Sequence, residues 1–326
     1  MRALLCKDYG GIDALVLEDI ASPPLQDGQV RVRVEACGVN FPDTLIAAGK
    51  YQFKPDPPFS PGGEISGVIS EVSGDVGDFA VGDAVIAITI WGGFAEEIVI
   101  PAGQLLRRPD AMDPIIAAGF SMTYGTAMHA LTQRAHLGQG ETLLVLGASG
   151  GVGLAAIEIA KRLGARVIAA ASTAEKLKVA KDSGADETVN YTETGLKDAV
   201  KELTGGKGAD VVFDPVGGEM TEQALRATAW NGRLLIVGFA SGDIPKLPAN
   251  LMLLKGCAVM GVFWGDFVKR EPDANRANFD RLFDWQGKGQ LKPLVSETFA
   301  LADAPKALHK LADRKAVGKL VVDLSR

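Results

Sequence analysis

LLVLGASGGVG occupies residues 143–153, and the helical pattern LAAIEIAKRLG follows it directly at residues 154–164. A strand, a glycine turn and a helix in this order are typical of a dinucleotide-binding loop. Ala148, Gly150 and Gly153 hold the places that permit the tight turn, the close approach of a pyrophosphate and the close packing of helix on strand. Because the amides at a helix start attract phosphate, we predict five cofactor-binding residues here: Ser149, Gly150, Gly151, Val152 and Gly153.

Further strand-like segments alternate with helical patterns around this loop. The helical patterns end close to a glycine or a turn, as helices commonly do. Six strands joined by helical crossovers predict an α/β fold with a doubly wound parallel sheet, a Rossmann unit. The predicted strands are Thr142–Leu146, Arg166–Ala170, Glu187–Asn190, Asp210–Phe213, Arg233–Val237 and Cys257–Gly261.

The end of the second predicted strand favours NADPH over NADH. An acidic residue at this point would bind the 2′-hydroxyl of the adenosine ribose, and the sequence AASTAEK has none at the strand end. Ser172 follows the strand, Lys176 lies one helical turn further on, and Tyr191 ends the third strand. These three residues are the predicted site for a 2′-phosphate.

The same glycine-rich loop also satisfies a rival motif. Gly147-Ala-Ser-Gly-Gly151 has the spacing of the nucleophile elbow of an α/β-hydrolase, with Ser149 as the nucleophile. Asp214 and His309 are the available acid and base. An elbow explains neither Gly153 nor the β-rich residues that precede the sheet, so Ser149 is read instead as a helix cap or a phosphate contact.

The first hundred residues and the end of the chain have a different pattern. Short β-like runs such as VRVRVEACGV and AEEIVIP, separated by turn residues, predict an all-β, barrel-like unit up to about residue 106. Proline and glycine crowd KPDPPFSPGG at residues 54–63, which predicts an ordered loop near the site. From residue 265 onward two helical patterns and two strands follow.

Composition excludes several classes of function. Acidic residues outnumber basic ones by 40 to 34, so the net charge of −6 offers no field for nucleic acid or a lipid surface. The three cysteines form no close pair, which favours free thiols in a reducing compartment. Neither a signal peptide nor an apolar run of membrane-spanning length is visible, so a cytoplasmic protein is expected.

Nine segments together resemble the zinc-free quinone oxidoreductase branch of the medium-chain dehydrogenase/reductase superfamily. They run through nearly the whole chain in the family's order: GVNFPD (38–43), GKYQ (49–52), PFSPGGEISGVI (58–69), VGDAV (81–85), AAGFSMTYGTA (117–127), GASGGVG (147–153), VVFDPVGG (211–218), GRLLIVGF (232–239) and GKLVVDL (318–324). The resemblance implies a GroES-like catalytic domain made of residues 1–121 and 265–326, and a Rossmann domain at residues 122–264.

The resemblance also predicts that this chain binds no metal. Where the zinc enzymes of the superfamily have a cysteine, a histidine and a third thiolate, this sequence has Asn40, Gly63 and Ala118. The four clustered cysteines of a structural zinc lobe have no counterpart, and Cys6, Cys37 and Cys257 are spaced too widely to form one.

Roles for individual residues follow from the same resemblance. Asn40 is expected beside the nicotinamide ribose and the substrate, and Tyr51 is expected to donate a hydrogen bond or a proton to the acceptor. Asp43 is expected to be a structural cap or ion-pair partner, and Glu64 a buried remnant of the metal site. The other predicted cofactor contacts are Thr123, Phe239, Ala240, Phe263, Trp264 and Lys319. Of these, Phe239, Ala240, Phe263 and Trp264 also follow the carboxyl ends of strands, where ligands of such sheets bind.

These observations predict an NADPH-dependent, metal-independent oxidoreductase that transfers hydride to a quinone or an α,β-unsaturated carbonyl. The alternative within enzymes is an enoyl-thioester reductase acting on a CoA or carrier-bound acid. A hydrolase and a non-enzymatic cofactor-binding protein are further alternatives. The apolar sixth strand, CAVMGVF, is expected at a sheet edge, where it predicts a homodimer with a continuous sheet.

Overall fold

The computed structural model describes residues 1–325 and divides the chain into two compact units. Met1–Met122 and the chain from Pro293 onward form the first unit, and Thr123–Lys292 form the second. Among the described residues no helix combines the length and the apolar character that crossing a membrane requires.

The first unit is rich in β-structure, as the alternating sequence predicts. In its longest strand Val30, Val32 and Val34 are buried, while the arginines between them point away from the core. Its helices are α1 (Phe41–Ala47), α2 (Pro114–Ala118) and α11 (Ala304–Ala312). Its strands are β1 (Arg2–Cys6), β2 (Leu15–Asp19), β3 (Gln29–Val39), β4 (Glu64–Ser73), β5 (Ala84–Ile88), β6 (Glu97–Pro101), β7 (Leu105–Arg107), β14 (Val295–Ala300) and β15 (Lys319–Asp323).

Strand order in the first unit brings distant parts of the chain together. A seven-stranded sheet has the order β14-β15-β3-β4-β5-β7, and β6 also pairs with β3. Leu320 lies opposite Val39, and Cys37 lies opposite Ile65, both in antiparallel pairs. The end of β3 therefore lies between the beginnings of β4 and β15.

The second unit is a doubly wound parallel sheet of the Rossmann type. Its order is β10-β9-β8-β11-β12-β13, and every pair is parallel. The strands are β8 (Thr142–Val145), β9 (Arg166–Ala171), β10 (Glu187–Asn190), β11 (Ala209–Asp214), β12 (Thr228–Ile236) and β13 (Ala258–Gly261). The helices are α3 (Ser121–His129, which begins in the first unit), α4 (Gly151–Arg162), α5 (Ala174–Asp182), α6 (Leu196–Leu203), α7 (Glu219–Ala227), α8 (Ala249–Lys255), α9 (Trp264–Arg270) and α10 (Pro272–Gly287).

The six predicted strands all occur, and β13 lies at the sheet edge as expected. The largest difference is at β12, which begins at Thr228 and not at Arg233. The sequence places Asn231 and Gly232 before the strand, but here they lie inside it, and Asn231 has φ of 56° in an irregular stretch.

The boundary after the sheet also differs from the sequence-based one. The sequence assigned residues 265–292 to the first unit, whereas in the structure α9 and α10 belong to the second. Phe279 of α10 packs on Trp264, and Asn278 exchanges side-chain hydrogen bonds with Gln133. The apolar residues of these helices are therefore used within the Rossmann unit, which a helical pattern alone cannot reveal.

Candidate functional site

The glycine-rich loop of the Rossmann unit has the geometry of a phosphate-binding turn. Gly147 follows β8 with φ of 56°, a left-handed conformation that favours glycine. The amide of Gly150 donates to the Gly147 carbonyl over 3.0 Å, and α4 begins at Gly151. A β-carbon at Gly153 would lie 2.5 Å from the Gly147 oxygen, so only glycine lets the helix pack this closely on the turn.

Gly150 differs from Gly153 in the space around it, because a side chain would fit at Gly150. A β-carbon at Gly150 would meet only the Gly147 oxygen at 3.4 Å, an ordinary contact. Internal packing therefore does not require glycine here, and the bare backbone is available to a ligand. The loop fits a dinucleotide pyrophosphate, held by the first amides of α4.

Ser149 does not cap the following helix, which corrects one sequence-based reading. The N-cap of α4 is Gly150, and it has no side-chain cap hydrogen bond. Ser149 is buried in the turn. It is not among the described non-glycine residues that have a positive φ. The strained serine of a nucleophile elbow is therefore not seen.

The residues proposed for a hydrolase triad are also engaged elsewhere. Buried Asp214 accepts hydrogen bonds from the amides of Val216 and Gly217 and from the Thr221 hydroxyl. His309 pairs with Asp13 at 2.7 Å in the first unit. Asp214 stabilises the loop after β11, so the acid and base of the hydrolase alternative do not form a pair.

The three residues predicted to bind a 2′-phosphate lie at neighbouring strand ends. Ala171 pairs with Asn190 at the ends of β9 and β10, so Ser172 and Tyr191 follow adjacent strands. Lys176 is in the first turn of α5, where its amide donates to the Thr173 hydroxyl. Ser172 and Tyr191 thus follow neighbouring strands, and Lys176 lies in the helix that follows β9, so the 2′-phosphate site stays a prediction.

Two loops at the carboxyl ends of β11 and β12 are joined by backbone hydrogen bonds. The amide of Ala240 donates to Pro215 over 3.1 Å, and the amide of Ser241 donates to Val216 over 2.8 Å. The ring of Phe239 packs on Gly217, where a β-carbon would lie 3.0 Å from Cδ1 of the ring. Phe239 and Ala240 therefore lie at the edge of the sheet where ligands of this fold bind.

The predicted cofactor contacts after β13 and at the start of the second unit differ in how exposed their side chains are. The Phe263 side chain is about half exposed, whereas Trp264 is buried on Gly125 and donates its indole N–H to Asn275. Thr123 is buried in α3. The neighbouring Tyr124 donates its hydroxyl to Glu158 over 2.6 Å. The side chains of Trp264 and Tyr124 are thus used within the unit.

A second candidate site is a buried polar cluster in the first unit, formed by Asn40, Glu64, Ser121 and Lys319. Asn40 follows β3, Glu64 begins β4 and Lys319 begins β15, so the order of neighbouring strands brings them together. Glu64 is 0% exposed, Ser121 0%, Lys319 5% and Asn40 7%. Such burial of charged groups requires that they be paired.

Hydrogen bonds connect every member of the buried polar cluster. The Lys319 ammonium lies 2.9 Å from Oε2 of Glu64 and also donates to Oδ1 of Asn40. Nδ2 of Asn40 donates to Oε2 of Glu64 at 3.0 Å and to the Gly38 carbonyl at 3.2 Å. The other oxygen of Glu64 accepts from the Ser121 hydroxyl at 2.9 Å and from the Met122 amide at 2.7 Å.

Two glycines make room for this cluster. A β-carbon at Gly38 would lie 2.1 Å from the Ala118 carbonyl and 2.6 Å from Oε2 of Glu64. A β-carbon at Gly119 would lie 2.8 Å from Cγ of Lys319. The stem of Lys319 is therefore enclosed, and its ammonium is held at a fixed position.

Asp43 lies beside the cluster and has the structural role that the sequence predicts. Its Oδ2 accepts from the amide of Asn40 at 2.7 Å, which caps α1. Complete burial raises the pKa of Asp43 to about 7, although the Asn40 amide and the Lys319 charge act in the opposite direction. Asp43 therefore holds its proton to a much higher pH than an exposed aspartate does.

Tyr51 lies in the proline-rich part of the first unit. Its side chain is half-buried against the apolar core, and its ring lies 5.9 Å from that of Phe53. Burial, and next the nearby charge of Asp43, raise the pKa of the Tyr51 hydroxyl. The hydroxyl therefore keeps its proton at neutral pH and can act as a donor.

The residues at the three vacated metal positions offer no metal-binding set. Asn40, Gly63 and Ala118 contribute one side-chain amide and no thiolate or imidazole. Across residues 1–325 no group of three or more His, Cys, Asp or Glu side chains could hold a metal ion. The cation of the buried polar cluster is the Lys319 ammonium.

Sequence reasoning named Asn40 and Lys319 but missed that they contact each other, and it gave Ser121 no role. Lys319 was expected to reach a cofactor, whereas its ammonium is engaged by Glu64 and Asn40. The only signal in the sequence was a lysine at the start of an apolar strand, GKLVVDL, which shows no partner by itself.

Comparison with known proteins agrees with this architecture. Residues 26–110 match the alcohol dehydrogenase GroES-like domain, and residues 151–281 match a family described as zinc-binding dehydrogenase. Over 326 residues, 99% of this chain, it is 42% identical to a quinone oxidoreductase-like protein 2 homolog from Nematostella vectensis, covering 88% of that protein.

Two solved structures are similar over nearly the whole chain. The quinone oxidoreductase from Thermus thermophilus, also solved as its complex with NADPH, is 36% identical with a TM-score of 0.86, over 99% of this chain and 100% of that one. The Escherichia coli quinone oxidoreductase complexed with NADPH is 27% identical with a TM-score of 0.92, over the same shares.

Proposed function

The chain belongs to the quinone oxidoreductase branch of the medium-chain dehydrogenase/reductase superfamily, and from this premise we propose that it is an NADPH-dependent reductase of quinones or α,β-unsaturated carbonyls that needs no metal. When bound, NADPH supplies a hydride from its nicotinamide ring. The acceptor takes up that hydride together with one proton, which balances the reduction.

The Rossmann unit supplies the cofactor affinity in this proposal. The amides at residues 149–153 bind the pyrophosphate at the start of α4, where the helix dipole favours negative charge. Ser172, Lys176 and Tyr191 bind the 2′-phosphate at the ends of β9 and β10. The cofactor also contacts Phe239, Ala240 and Phe263, which follow the ends of β12 and β13, where ligands of this fold lie.

The first unit supplies the chemistry. The hydroxyl of Tyr51, which keeps its proton at neutral pH, donates to the acceptor oxygen as negative charge develops there. Asn40 binds the nicotinamide end of the cofactor. Quinones and enones delocalise the charge that follows hydride addition, so hydrogen-bond donors can replace a Lewis acid.

The observation that carries this proposal is the pairing of a complete dinucleotide loop with a vacated metal position. Asn40, Gly63 and Ala118 stand where zinc ligands would be needed, and the buried cation there is Lys319. This set of donors disfavours simple alcohol oxidation, which depends on a metal to polarise the oxygen.

The test is NADPH oxidation, followed at the nicotinamide absorbance, with 9,10-phenanthrenequinone, a simple enone and crotonyl-CoA in parallel, each with and without EDTA. We expect turnover with the quinone or the enone that EDTA does not change. Turnover with crotonyl-CoA alone would favour the enoyl-thioester alternative, and loss of turnover in EDTA would overturn the metal-free mechanism.

We further propose that the protein is a cytoplasmic homodimer. The edge strand β13 is followed by half-exposed Phe263 and preceded by α8, whose Leu253 and Leu254 are 80% and 69% exposed. A second copy of this edge would cover these side chains and continue the sheet. Light scattering coupled to size-exclusion chromatography tests the assembly, and a monomer at micromolar concentration would contradict it.

A further inference from the structure

We propose that Lys319 is a positioning residue that fixes the side-chain amide of Asn40, so that Asn40 presents its oxygen, and not its NH2 group, to the bound ligand. This inference rests on the proposed function, in which Asn40 binds the nicotinamide end of the cofactor. It assigns Lys319 an action through Asn40 and no direct contact with the cofactor.

The polarity of the hydrogen bonds determines the orientation of Asn40. An ammonium can only donate, so the Asn40 atom that contacts Lys319 must be the oxygen Oδ1. The carboxylate of Glu64 and the carbonyl of Gly38 can only accept, so the atom facing them must be Nδ2. Any other orientation would place donor against donor and acceptor against acceptor.

The same bonds determine what Asn40 can recognise. Both hydrogens of Nδ2 are directed at Glu64 and Gly38, and one lone pair of Oδ1 is occupied by Lys319. The remaining capacity is the second lone pair of Oδ1. Asn40 therefore selects a hydrogen-bond donor, a hydroxyl or an amide N–H, and does not stabilise an oxyanion.

Removal of the Lys319 charge abolishes this selection. Without the ammonium, Oδ1 of Asn40 loses the donor that holds it, and fully buried Glu64 loses its charged partner, which is strongly disfavoured. A glutamine in place of Glu64 removes that charge, and its side-chain amide can donate to Asn40 as well as accept from it. Only the Gly38 carbonyl then favours the original orientation of the Asn40 amide, so a single hydrogen bond holds it in place of three.

Two variants of the buried polar cluster separate a positioning role from a purely structural one. Lys319→Met leaves a buried carboxylate without its partner, and we expect the thermal unfolding midpoint to fall by about 10 °C. In Lys319→Met with Glu64→Gln the cluster is neutral, and we expect most of that loss to be recovered. We expect kcat/KM for quinone reduction to stay about 100-fold below wild type in both proteins, because in both the oxygen of Asn40 has lost the donor that holds it.

Recovery of kcat/KM together with stability in the double variant would overturn the proposal, since Lys319 would then serve only the fold. Lys306→Met is the matched control, because Lys306 lies on α11 of the same unit with a 75% exposed side chain paired to Asp303. It should change neither the midpoint nor kcat/KM.

A second variant pair tests whether Lys319 acts through Asn40. We expect Lys319→Met to change the NADPH dissociation constant and kcat/KM by less than about twofold when Asn40→Ala is already present. Additive losses in the Asn40→Ala background would show that Lys319 meets the ligand directly and would overturn the inference.

A readout without cofactor keeps this test independent of the proposed function. With 15N-labelled asparagine, the Asn40 side-chain signals are those absent from Asn40→Ala. We expect their hydrogen exchange to be at least about tenfold faster in the Lys319→Met, Glu64→Gln protein than in wild type. Equal exchange rates would contradict the inference, whereas inactivity of the wild type toward quinones and enones would overturn only the proposed function.

Discussion

The glycine-rich loop at residues 147–153 and the buried polar cluster are built in opposite ways. The loop is contiguous, and its geometry depends on glycines, whose side chains are absent. The cluster rests on charged and polar side chains, and Lys319 and Asn40, which share a hydrogen bond, lie 279 positions apart. The first kind of site can be recognised from a short sequence, whereas the second exists only once strand order is known.

The difference also predicts that one region sets cofactor affinity and the other sets the reaction rate. Backbone amides at a helix start bind phosphate whatever reaction follows, so the loop should govern cofactor affinity. Oriented donors and acceptors in a buried site act most strongly where charge changes during the reaction. Variants in the two regions should therefore affect different measured quantities.

The largest expected effect is at Gly153. In Gly153→Val the new side chain would overlap the Gly147 oxygen, which a β-carbon alone would approach to 2.5 Å, so we expect a loss of stability of about 3 kcal/mol or more. Urea unfolding measures this. Gly150→Ala is the matched control, with a loss below about 1 kcal/mol, and similar losses at the two glycines would contradict the distinction drawn between them.

The next effect tests the chemistry of the first unit. Tyr51→Phe removes the hydroxyl, and we expect kcat for quinone reduction to fall about 100-fold with an unchanged NADPH dissociation constant. Tyr9→Phe serves as the control, since the Tyr9 hydroxyl donates to the backbone of Pro55. An unchanged kcat in Tyr51→Phe would mean that Tyr51 only packs.

Cofactor preference should respond to a charge change in α5. Lys176→Glu places a carboxylate near the proposed 2′-phosphate site, and we expect the NADPH over NADH ratio of kcat/KM to fall about tenfold. Lys178→Glu in the same helix is the matched control, because its 75% exposed side chain pairs with Asp182. An equal fall in both variants would point to a general charge effect and not to a specific contact.

The last prediction concerns a pH dependence of stability from Asp43, which is small at any one step of pH. Folding raises the pKa of Asp43 from 3.8 to about 7, so the folded protein holds a proton that the unfolded chain releases in this range. The contribution of Asp43 to stability is therefore complete below about pH 4 and falls by about 1.4 kcal/mol per pH unit until about pH 7. Urea unfolding of wild type and Asp43→Asn should show a difference that changes with pH across this window and is constant above it. Parallel curves would contradict the raised pKa.

Much of the fold could be predicted because the Rossmann strands are buried on both faces and read as short apolar runs between glycines. The prediction was less accurate where local signals were ambiguous, as at Asn231-Gly232 inside β12 and at residues 265–292, whose helical pattern shows no packing partner. The glycine-rich loop could be predicted because its turn geometry is set by neighbouring residues. The link between Lys319, Glu64 and Ser121 could not be found, since it depends on the order β15-β3-β4.

The most direct test compares Gly150→Ala and Asn40→Ala in one experiment, which measures the NADPH dissociation constant and the single-turnover rate of hydride transfer to 9,10-phenanthrenequinone at saturating NADPH. The account predicts that Gly150→Ala weakens NADPH binding about tenfold or more with a nearly unchanged rate. It predicts that Asn40→Ala lowers the rate with a smaller change in affinity. The reverse pattern, or equal effects of both variants on both quantities, would contradict the division between a loop that holds the cofactor and a buried cluster that directs the reaction.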